Sequence, residues 1–208
     1  QLVLSDQPIR YRLRLIKVDS ETGKVITLAG TSFKLKDAQG AYVTQKVYYP
    51  TAQEIDTFTT DASGTVLLPE TVTWGAYFIE EIQAPEGYLI REDDFAVFIG
   101  QDGDEPGNTY MVDIEIPNQS VKGRILLDKK GLQFVGVKTE TDACGNEVQR
   151  PIFEERYLAG AVFEVCAAEE IVGADGTIWY QQDELVDTIT TTANGADASS
   201  ELPLGKYY

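Results

Sequence analysis

The sequence predicts an all-β chain made of two tandem β-sandwich domains, the second of them truncated. Two observations predict this class: short stretches in which apolar and polar residues alternate, and an internal repeat. Alternation with a period of two is clear in Arg12–Val18, Ser32–Lys36 and Tyr110–Ile116. Turn-forming runs such as Asp61–Gly64 separate these stretches. Many short strands at this spacing are typical of a sandwich or a barrel.

The internal repeat sets the number of domains at two. The segment Leu28–Leu35 (LAGTSFKL) matches Leu158–Val165 (LAGAVFEV), and further matches follow in the same order. We therefore predict a first domain over residues 1–119 and a second over residues 120–208. The last strands of the second domain are expected to lie beyond the fragment.

The second copy has a longer first connection than the first copy. It runs from Lys130 to Tyr157 and contains Asp142–Asn146, a run of turn-forming residues. We interpret this connection as an inserted hairpin that turns at Asp142–Asn146.

Composition excludes several classes of function. The 208 residues carry 34 Asp and Glu against 17 Lys and Arg, a formal net charge of −17, which disfavours nucleic acid and anionic membrane surfaces as partners. Histidine is absent, which excludes a His-dependent hydrolase and a His-rich zinc site within this chain. We expect no cofactor and no metal. Hydrophobic residues make up 43% of the chain, enough for a packed core.

The two cysteines, Cys144 and Cys166, are too few for a disulfide framework. An oxidising compartment would permit a disulfide between them. Cys144 falls at a predicted loop tip, however, and Cys166 shares the outer face of its strand with Glu164. Their pairing is left open.

Several motifs occur in an order typical of one family. The chain carries, in this order, Lys17-Val18-Asp19, Leu28-Ala29-Gly30-Thr31-Ser32-Phe33, Thr60-Asp61-Ala62-Ser63-Gly64, Gly75-Ala76-Tyr77 and Glu81-Ile82-Gln83-Ala84-Pro85-Glu86-Gly87-Tyr88. Together they resemble the Cna B-type (SpaA-like) domains of Gram-positive pilins and surface adhesins. Thr31 departs from the pattern, because that family usually has alanine there.

The resemblance implies a transthyretin-like, Ig-like β-sandwich and a self-formed cross-link. In such domains an amide joins a lysine on the first strand to an asparagine on the last, and a glutamate promotes the reaction. The matching residues are Lys17, Asn118 and Glu81. If the strand register slips by one residue, Glu80 replaces Glu81.

The chemistry of this cross-link requires a neutral amine. Lys17 shares the period-two face of Leu13 and Leu15, so we expect it to be buried and its pKa lowered. A protonated Glu81 is expected to donate a hydrogen bond to the amide oxygen of Asn118 and then to pass a proton to the departing ammonia.

In the second copy, the matching lysine is Lys129, with Lys130 as the register-slip alternative. The glutamate and asparagine that would complete this second set are expected beyond Tyr208.

The family resemblance also implies the setting. It indicates an extracellular, wall-attached or pilus module that acts as a structural stalk and is not an enzyme apart from its self-directed chemistry. Expected partners are neighbouring domains of the same surface protein, sortase-assembled pilus subunits or a host ligand. The alternative is an adhesin module that binds a host matrix protein or glycan, for which the candidate aromatic residues are Tyr42, Tyr48, Tyr49, Trp179 and Tyr180.

Overall fold

The structure is a computed structural model that describes residues 7–208. Within this range the chain forms nineteen strands joined by turns and contains no helix, which confirms the all-β prediction. Consequently, no helix in the described range is long and apolar enough to cross a membrane.

The chain divides into two compact units. The first extends to Val121 and includes Gly173–Thr177, and the second consists of Lys122–Val172 and Ile178–Tyr208. The division after Val121 falls close to the predicted boundary at residue 119. The placement of Gly173–Thr177 differs from the prediction, because a linear repeat cannot show that a short turn clusters with a unit distant in sequence.

Nine strands build the first unit. They are β1 (Arg10–Asp19), β2 (Ser32–Lys36), β3 (Gln45–Val47), β4 (Gln53–Ile55), β5 (Thr57–Thr59), β6 (Thr65–Leu67), β7 (Gly75–Gln83), β8 (Phe95–Ile99) and β9 (Thr109–Asn118).

Two sheets and a short hairpin organise these strands. One sheet has the order β6-β1-β9, in which β1 is antiparallel to β6 and parallel to β9. The other has the order β5-β2-β7-β8 and is antiparallel throughout, while β3 and β4 form the hairpin. The parallel pair sets Lys17 opposite Ile116 and Asp19 opposite Asn118, so the ends of the first and last strands of the unit lie side by side.

The core takes one face from each sheet. In β1 the alternation places Leu13, Leu15 and Lys17 inside and leaves Arg10 and Arg14 exposed. The buried apolar residues of both sheets form one cluster: Tyr11, Leu13, Leu15, Phe33, Leu35, Phe58, Leu68, Val72, Tyr77, Ile79, Ile99, Ile114 and Ile116.

Gly64 fixes the turn that supports the inner end of β1. It has a φ of +73°, and its carbonyl oxygen accepts a hydrogen bond of 2.9 Å from the backbone nitrogen of Lys17. A Cβ atom added here would lie 1.9 Å from the carbonyl oxygen of Ile26. Only glycine combines this conformation with such a close approach of the backbone.

Thr31 is fully buried, and its hydroxyl has no hydrogen-bond partner among the described residues. Its backbone is well bonded, since its nitrogen donates to Thr60 Oγ1 at 3.1 Å and its oxygen accepts from the nitrogen of Thr60 at 2.8 Å. At the matching place in the second unit, Ala161 keeps the equivalent bonds with Thr191. The hydroxyl is therefore a buried polar group without compensation.

Replacement of Thr31 by valine is expected to raise the free energy of unfolding by about 1 kcal/mol, because the shape is kept and the unpaired hydroxyl is removed. Equilibrium unfolding in urea would measure the change. Thr31→Ser is the control, since it keeps the hydroxyl, loses a methyl group and should destabilise. A loss of stability in the valine variant would show that the hydroxyl has a partner.

The second unit contains ten strands in two-stranded pairs. They are β10 (Lys122–Gly123), β11 (Leu126–Asp128), β12 (Lys130–Thr141), β13 (Glu147–Tyr157), β14 (Val162–Cys166), β15 (Ile171–Val172), β16 (Ile178–Tyr180), β17 (Leu185–Thr190), β18 (Ala196–Ala198) and β19 (Leu202–Pro203). The pairs are β10-β19, β11-β18, β12-β13, β14-β17 and β15-β16. Val165, Ile189 and Leu202 form a small buried cluster.

The hairpin β12-β13 occupies the connection where the sequence predicts an inserted hairpin. Its turn begins at Asp142, whose carbonyl oxygen accepts a hydrogen bond of 3.0 Å from the nitrogen of Gly145. Both strands are largely exposed to solvent.

Backbone hydrogen bonds recur at matched positions of the two units. The nitrogen of Lys17 donates to the oxygen of Gly64 at 2.9 Å, and the nitrogen of Lys129 donates to the oxygen of Gly195 at 2.8 Å. These matches support the proposal that the two units are copies of one domain.

A tyrosine contact also recurs in both units. The hydroxyl of Tyr77 donates to the carbonyl oxygen of Thr73 at 3.0 Å, and that of Tyr207 donates to the carbonyl oxygen of Pro203 at 2.7 Å. In each unit the donor and the acceptor are four positions apart, and the tyrosine is the last residue of a Gly-x-Tyr motif. The repeat in sequence is therefore also a repeat in local structure.

Candidate functional site

Lys17, Glu81 and Asn118 lie together inside the first unit. Their exposed fractions are 0%, 5% and 3%. Lys17 and Asn118 come from the neighbouring parallel strands β1 and β9, and Glu81 comes from β7 in the other sheet. Lys17 Nζ lies 3.1 Å from Glu81 Oε1 and donates a hydrogen bond to Asn118 Oδ1. The structure thus brings together the three residues that the sequence selects.

The carboxamide of Asn118 has one defined orientation. Its nitrogen donates to Glu81 Oε2 at 2.7 Å and to the carbonyl oxygen of Leu89 at 2.9 Å. Because the Leu89 carbonyl can only accept, the amide nitrogen must face it and the amide oxygen must face Lys17. The expected hydrogen bond from Glu81 to the amide oxygen is therefore wrong. Glu81 contacts the amide nitrogen, which is the leaving group of the expected reaction.

The surroundings of Lys17 favour a neutral amine. Burial lowers the pKa of Lys17 to about 8, and the positive charge of Arg91 acts in the same direction. The carboxylate of Glu81 opposes both effects, since it favours the charged ammonium. A lysine with this pKa is partly deprotonated near neutral pH, unlike an exposed lysine.

The alternation of β7 distinguishes the two candidate glutamates. Glu81 faces the core, whereas Glu80 is only half-buried and accepts a hydrogen bond of 2.8 Å from the hydroxyl of Tyr42. Glu80 also lies 3.2 Å from Lys36 Nζ. Glu80, the register-slip alternative, therefore lies in a surface ion-pair network on the opposite face of the strand.

The loop after β7 covers the three residues. Besides the Leu89 carbonyl, it supplies the backbone nitrogen of Arg91, which donates to Glu81 Oε2 at 2.7 Å. Neither group could be predicted from the sequence, because any residue at these two positions would supply the same main-chain contact. An open cavity of about 410 Å³, lined by residues 89–92 and 117–119, borders Asn118 on this side.

Comparison with known proteins assigns the fold. The model of the SpaA prealbumin-like fold domain matches residues 11–114, which reach from β1 into β9. The chain belongs to this family. No curated protein matches the chain significantly.

The chain is similar to several solved structures, of which the first, with a TM-score of 0.50, supports the fold. The Bacillus anthracis TIE protein is 22% identical with a TM-score of 0.50, over 96% of this chain and 28% of that chain. A streptococcal ancillary pilin is 21% identical with a TM-score of 0.40, over 96% of this chain and 52% of that one. BcpA, the major pilin subunit of Bacillus cereus, is 15% identical with a TM-score of 0.39, over 95% and 86%. The chain thus spans less than a third of the TIE protein.

In the second unit of this SpaA-type chain, both candidate lysines are exposed. The backbone bond from Lys129 to Gly195 matches that from Lys17 to Gly64, which favours Lys129 over Lys130 as the counterpart of Lys17. The Lys130 ammonium lies 4.8 Å from the ring centroid of Tyr157 on the hairpin. Lys129 therefore remains the candidate of the second unit.

The cysteines of the SpaA-type chain are free. Cys144 lies in the exposed turn of the hairpin β12-β13, and Cys166 is partly buried at the end of β14. The structure thus does not contain the disulfide that the sequence left open.

The candidate aromatic residues for adhesion differ in their exposure. Tyr48 and Tyr49 are strongly exposed between β3 and β4, with Tyr49 at 86%. Tyr42 is engaged with Glu80, and Trp179 and Tyr180 are half-buried on β16.

Proposed function

We propose that this SpaA-type chain is a structural module of a Gram-positive surface protein or pilus, and that its first unit is cross-linked by a self-formed amide between Lys17 and Asn118. The observation that supports this most is the buried cluster in which Lys17 contacts both the Asn118 carboxamide and Glu81.

Each residue has a definite role in the proposed reaction. The neutral Lys17 Nζ attacks the carboxamide carbon of Asn118, and Glu81 Oε1, at 3.1 Å from Nζ, takes the proton that the amine loses. Glu81 Oε2, at 2.7 Å from the amide nitrogen, returns a proton to it. The carbon–nitrogen bond of the carboxamide breaks and one ammonia leaves. A new amide joins Lys17 to Asn118, and Glu81 regains its initial protonation state.

The proximity of the two reacting groups in the folded unit accelerates the proposed reaction. Holding an amine against an amide in a dry core replaces an encounter in solution by a reaction between neighbours, which is worth several orders of magnitude in effective concentration. No cofactor or external enzyme is part of the proposal.

The location of the bond suits a load-bearing module. It would join β1 to β9, the first and last strands of the unit, which already lie side by side. A force that pulls on the two ends of the unit would then pass through a covalent link rather than through the hydrogen bonds of the sandwich. The motifs shared with pilin and adhesin domains support an extracellular setting, with neighbouring domains or other pilus subunits as partners.

Intact mass under denaturing, reducing conditions tests the cross-link. The purified chain is expected to weigh less than its sequence by one ammonia, and a digest should contain a branched peptide that joins β1 to β9. Lys17→Ala and Glu81→Ala should each restore the full mass, because one removes the nucleophile and the other the proton carrier. Lys129→Ala is the matched control and should keep the deficit. A full mass in the unmodified chain would contradict the proposed reaction.

A further inference from the structure

We propose that Asp19 and Tyr88 form a buried clamp that positions the Asn118 amide for attack by Lys17. This inference rests on the proposed cross-link and extends it to two residues outside the reacting group. Neither residue touches the reacting atoms, so both are positioning residues that act through the loop after β7.

Asp19 ends β1, two residues after Lys17, and its exposed fraction is only 2%. Its Oδ1 atom accepts backbone hydrogen bonds from Glu21 and Thr22, at 2.7 and 3.0 Å. Its Oδ2 atom accepts the hydroxyl of Tyr88 at 2.8 Å. One oxygen of the Asp19 carboxylate is thus bonded to the turn that follows β1, and the other is bonded to Tyr88 in the loop after β7.

Tyr88 carries this contact into the loop that covers the cluster. Burial raises the pKa of Tyr88, so its hydroxyl remains a donor over the physiological range. The loop also pairs with the chain that follows Asn118, because the nitrogen of Leu89 donates to the oxygen of Gln119 at 2.9 Å and the nitrogen of Val121 donates to that of Gly87 at 2.8 Å. The loop is therefore anchored to the end of β9 by its backbone and to the end of β1 by the tyrosine.

The position of the Leu89 carbonyl follows from these two anchors. This carbonyl takes one of the two hydrogens of the Asn118 amide nitrogen, and Glu81 takes the other. With both hydrogens engaged, the amide plane cannot rotate and its carbon stays within reach of Lys17. Without the hydroxyl of Tyr88, the loop that carries the Leu89 carbonyl would be bonded to the end of β9 but no longer to the end of β1. A displacement of about 1 Å in a reacting group can slow a reaction by about a hundredfold.

The second unit has no carboxylate at the position that matches Asp19. Lys129 is the counterpart of Lys17 by its backbone bond to Gly195, and the residue two positions later is Gly131. In the first unit, Asp19 occupies that position. The buried carboxylate and the buried lysine therefore occur in the same unit, whereas the unit without this carboxylate has an exposed lysine.

The first test is the rate of ammonia loss in Tyr88→Phe, a variant that keeps the ring and removes the hydroxyl. Full-length chains synthesised in a cell-free system would be quenched in denaturant, refolded by dilution and followed by intact mass. We expect the rate to fall by about tenfold to a hundredfold. In an Asp19→Ala background, the further change Tyr88→Phe should slow ammonia loss little more, because both changes remove the same hydrogen bond.

Tyr11→Phe is the matched control. The ring of Tyr11 is also buried, and its hydroxyl donates to Asp104 at 2.6 Å, in a part of the unit away from the cluster. This variant should lose stability as Tyr88→Phe does but should keep the parent rate. An unchanged rate in Tyr88→Phe, or an equal slowing in Tyr11→Phe, would overturn the clamp.

The second test separates the clamp from the cross-link. In a Lys17→Met background, which cannot react, the side-chain amide hydrogens of Asn118 can be followed by nitrogen-15 NMR. Adding Tyr88→Phe should accelerate their exchange with solvent by about tenfold, whereas adding Tyr11→Phe should not. If the parent chain shows no ammonia loss, the proposed cross-link is refuted, and the exchange of the Asn118 amide hydrogens alone tests whether the clamp positions this amide. Equal exchange in the two variants would refute it.

Discussion

Replacing Lys17 by methionine is expected to lower the free energy of unfolding of the first unit by about 5 kcal/mol. Lys17 and Asn118 are 101 positions apart, so the proposed bond closes most of the unit into one loop and restricts the unfolded chain accordingly. Methionine has a similar length, and the ring centroid of Phe33 lies 5.6 Å from Lys17 Nζ. The loss should therefore report the missing bond rather than a cavity.

Hydrogen exchange read by mass spectrometry on peptides from β1 and β9 would measure this loss in the first unit alone. Asn118→Ala should weaken the same peptides to a similar extent, since either change removes the bond. Lys129→Met is the control, because Lys129 makes the same backbone hydrogen bond in the second unit but has an exposed side chain. A loss below about 1 kcal/mol in Lys17→Met would argue against a covalent link between the strands.

The all-β fold could be predicted because alternation within single strands and turn-forming residues between them are visible in short stretches of sequence. Period-two alternation in β1 distinguishes inward from outward side chains, and the turn residues at Asp61–Gly64 mark where strands end. The repeat then sets the number of units. The assignment of Gly173–Thr177 to the first unit could not be predicted, because it depends on contacts between residues distant in sequence.

The sequence could select the residues of the candidate site but not the orientation of the Asn118 amide. Lys17, Glu81 and Asn118 followed from motifs, and the alternation of β7 decides between Glu81 and Glu80. The direction of the Asn118 amide depends instead on the main-chain carbonyl of Leu89, which any residue at that position could supply. The sequence therefore selected the glutamate that faces the core, but it placed the contact of this glutamate on the amide oxygen of Asn118 rather than on the amide nitrogen.

The rate of ammonia loss is expected to rise with pH and to level off above about pH 8. The reacting form is the neutral amine of Lys17, and burial lowers the pKa of Lys17 to about 8. Below this value the neutral fraction falls about tenfold for each pH unit, so the rate near pH 6 should be about a hundredfold below the plateau. Refolding unreacted chains by dilution into buffers of different pH, with intact mass as the readout, would give the profile. Circular dichroism on the same samples shows whether the chain is folded at each pH.

Arg91→Gln tests whether the electrostatics of the cluster set this profile. The positive charge of Arg91 contributes to the lowered pKa of Lys17, so its removal should move the midpoint of the rate profile to higher pH. The backbone nitrogen at this position still donates to Glu81, which leaves the geometry of the proton carrier in place. Arg150→Gln removes a positive charge from the exposed strand β13 of the hairpin and should leave the midpoint unchanged. A midpoint near 10.4, the ordinary value for an exposed lysine, would mean that Lys17 reacts from a solvated state, whereas a profile independent of pH would mean that deprotonation of Lys17 does not limit the reaction.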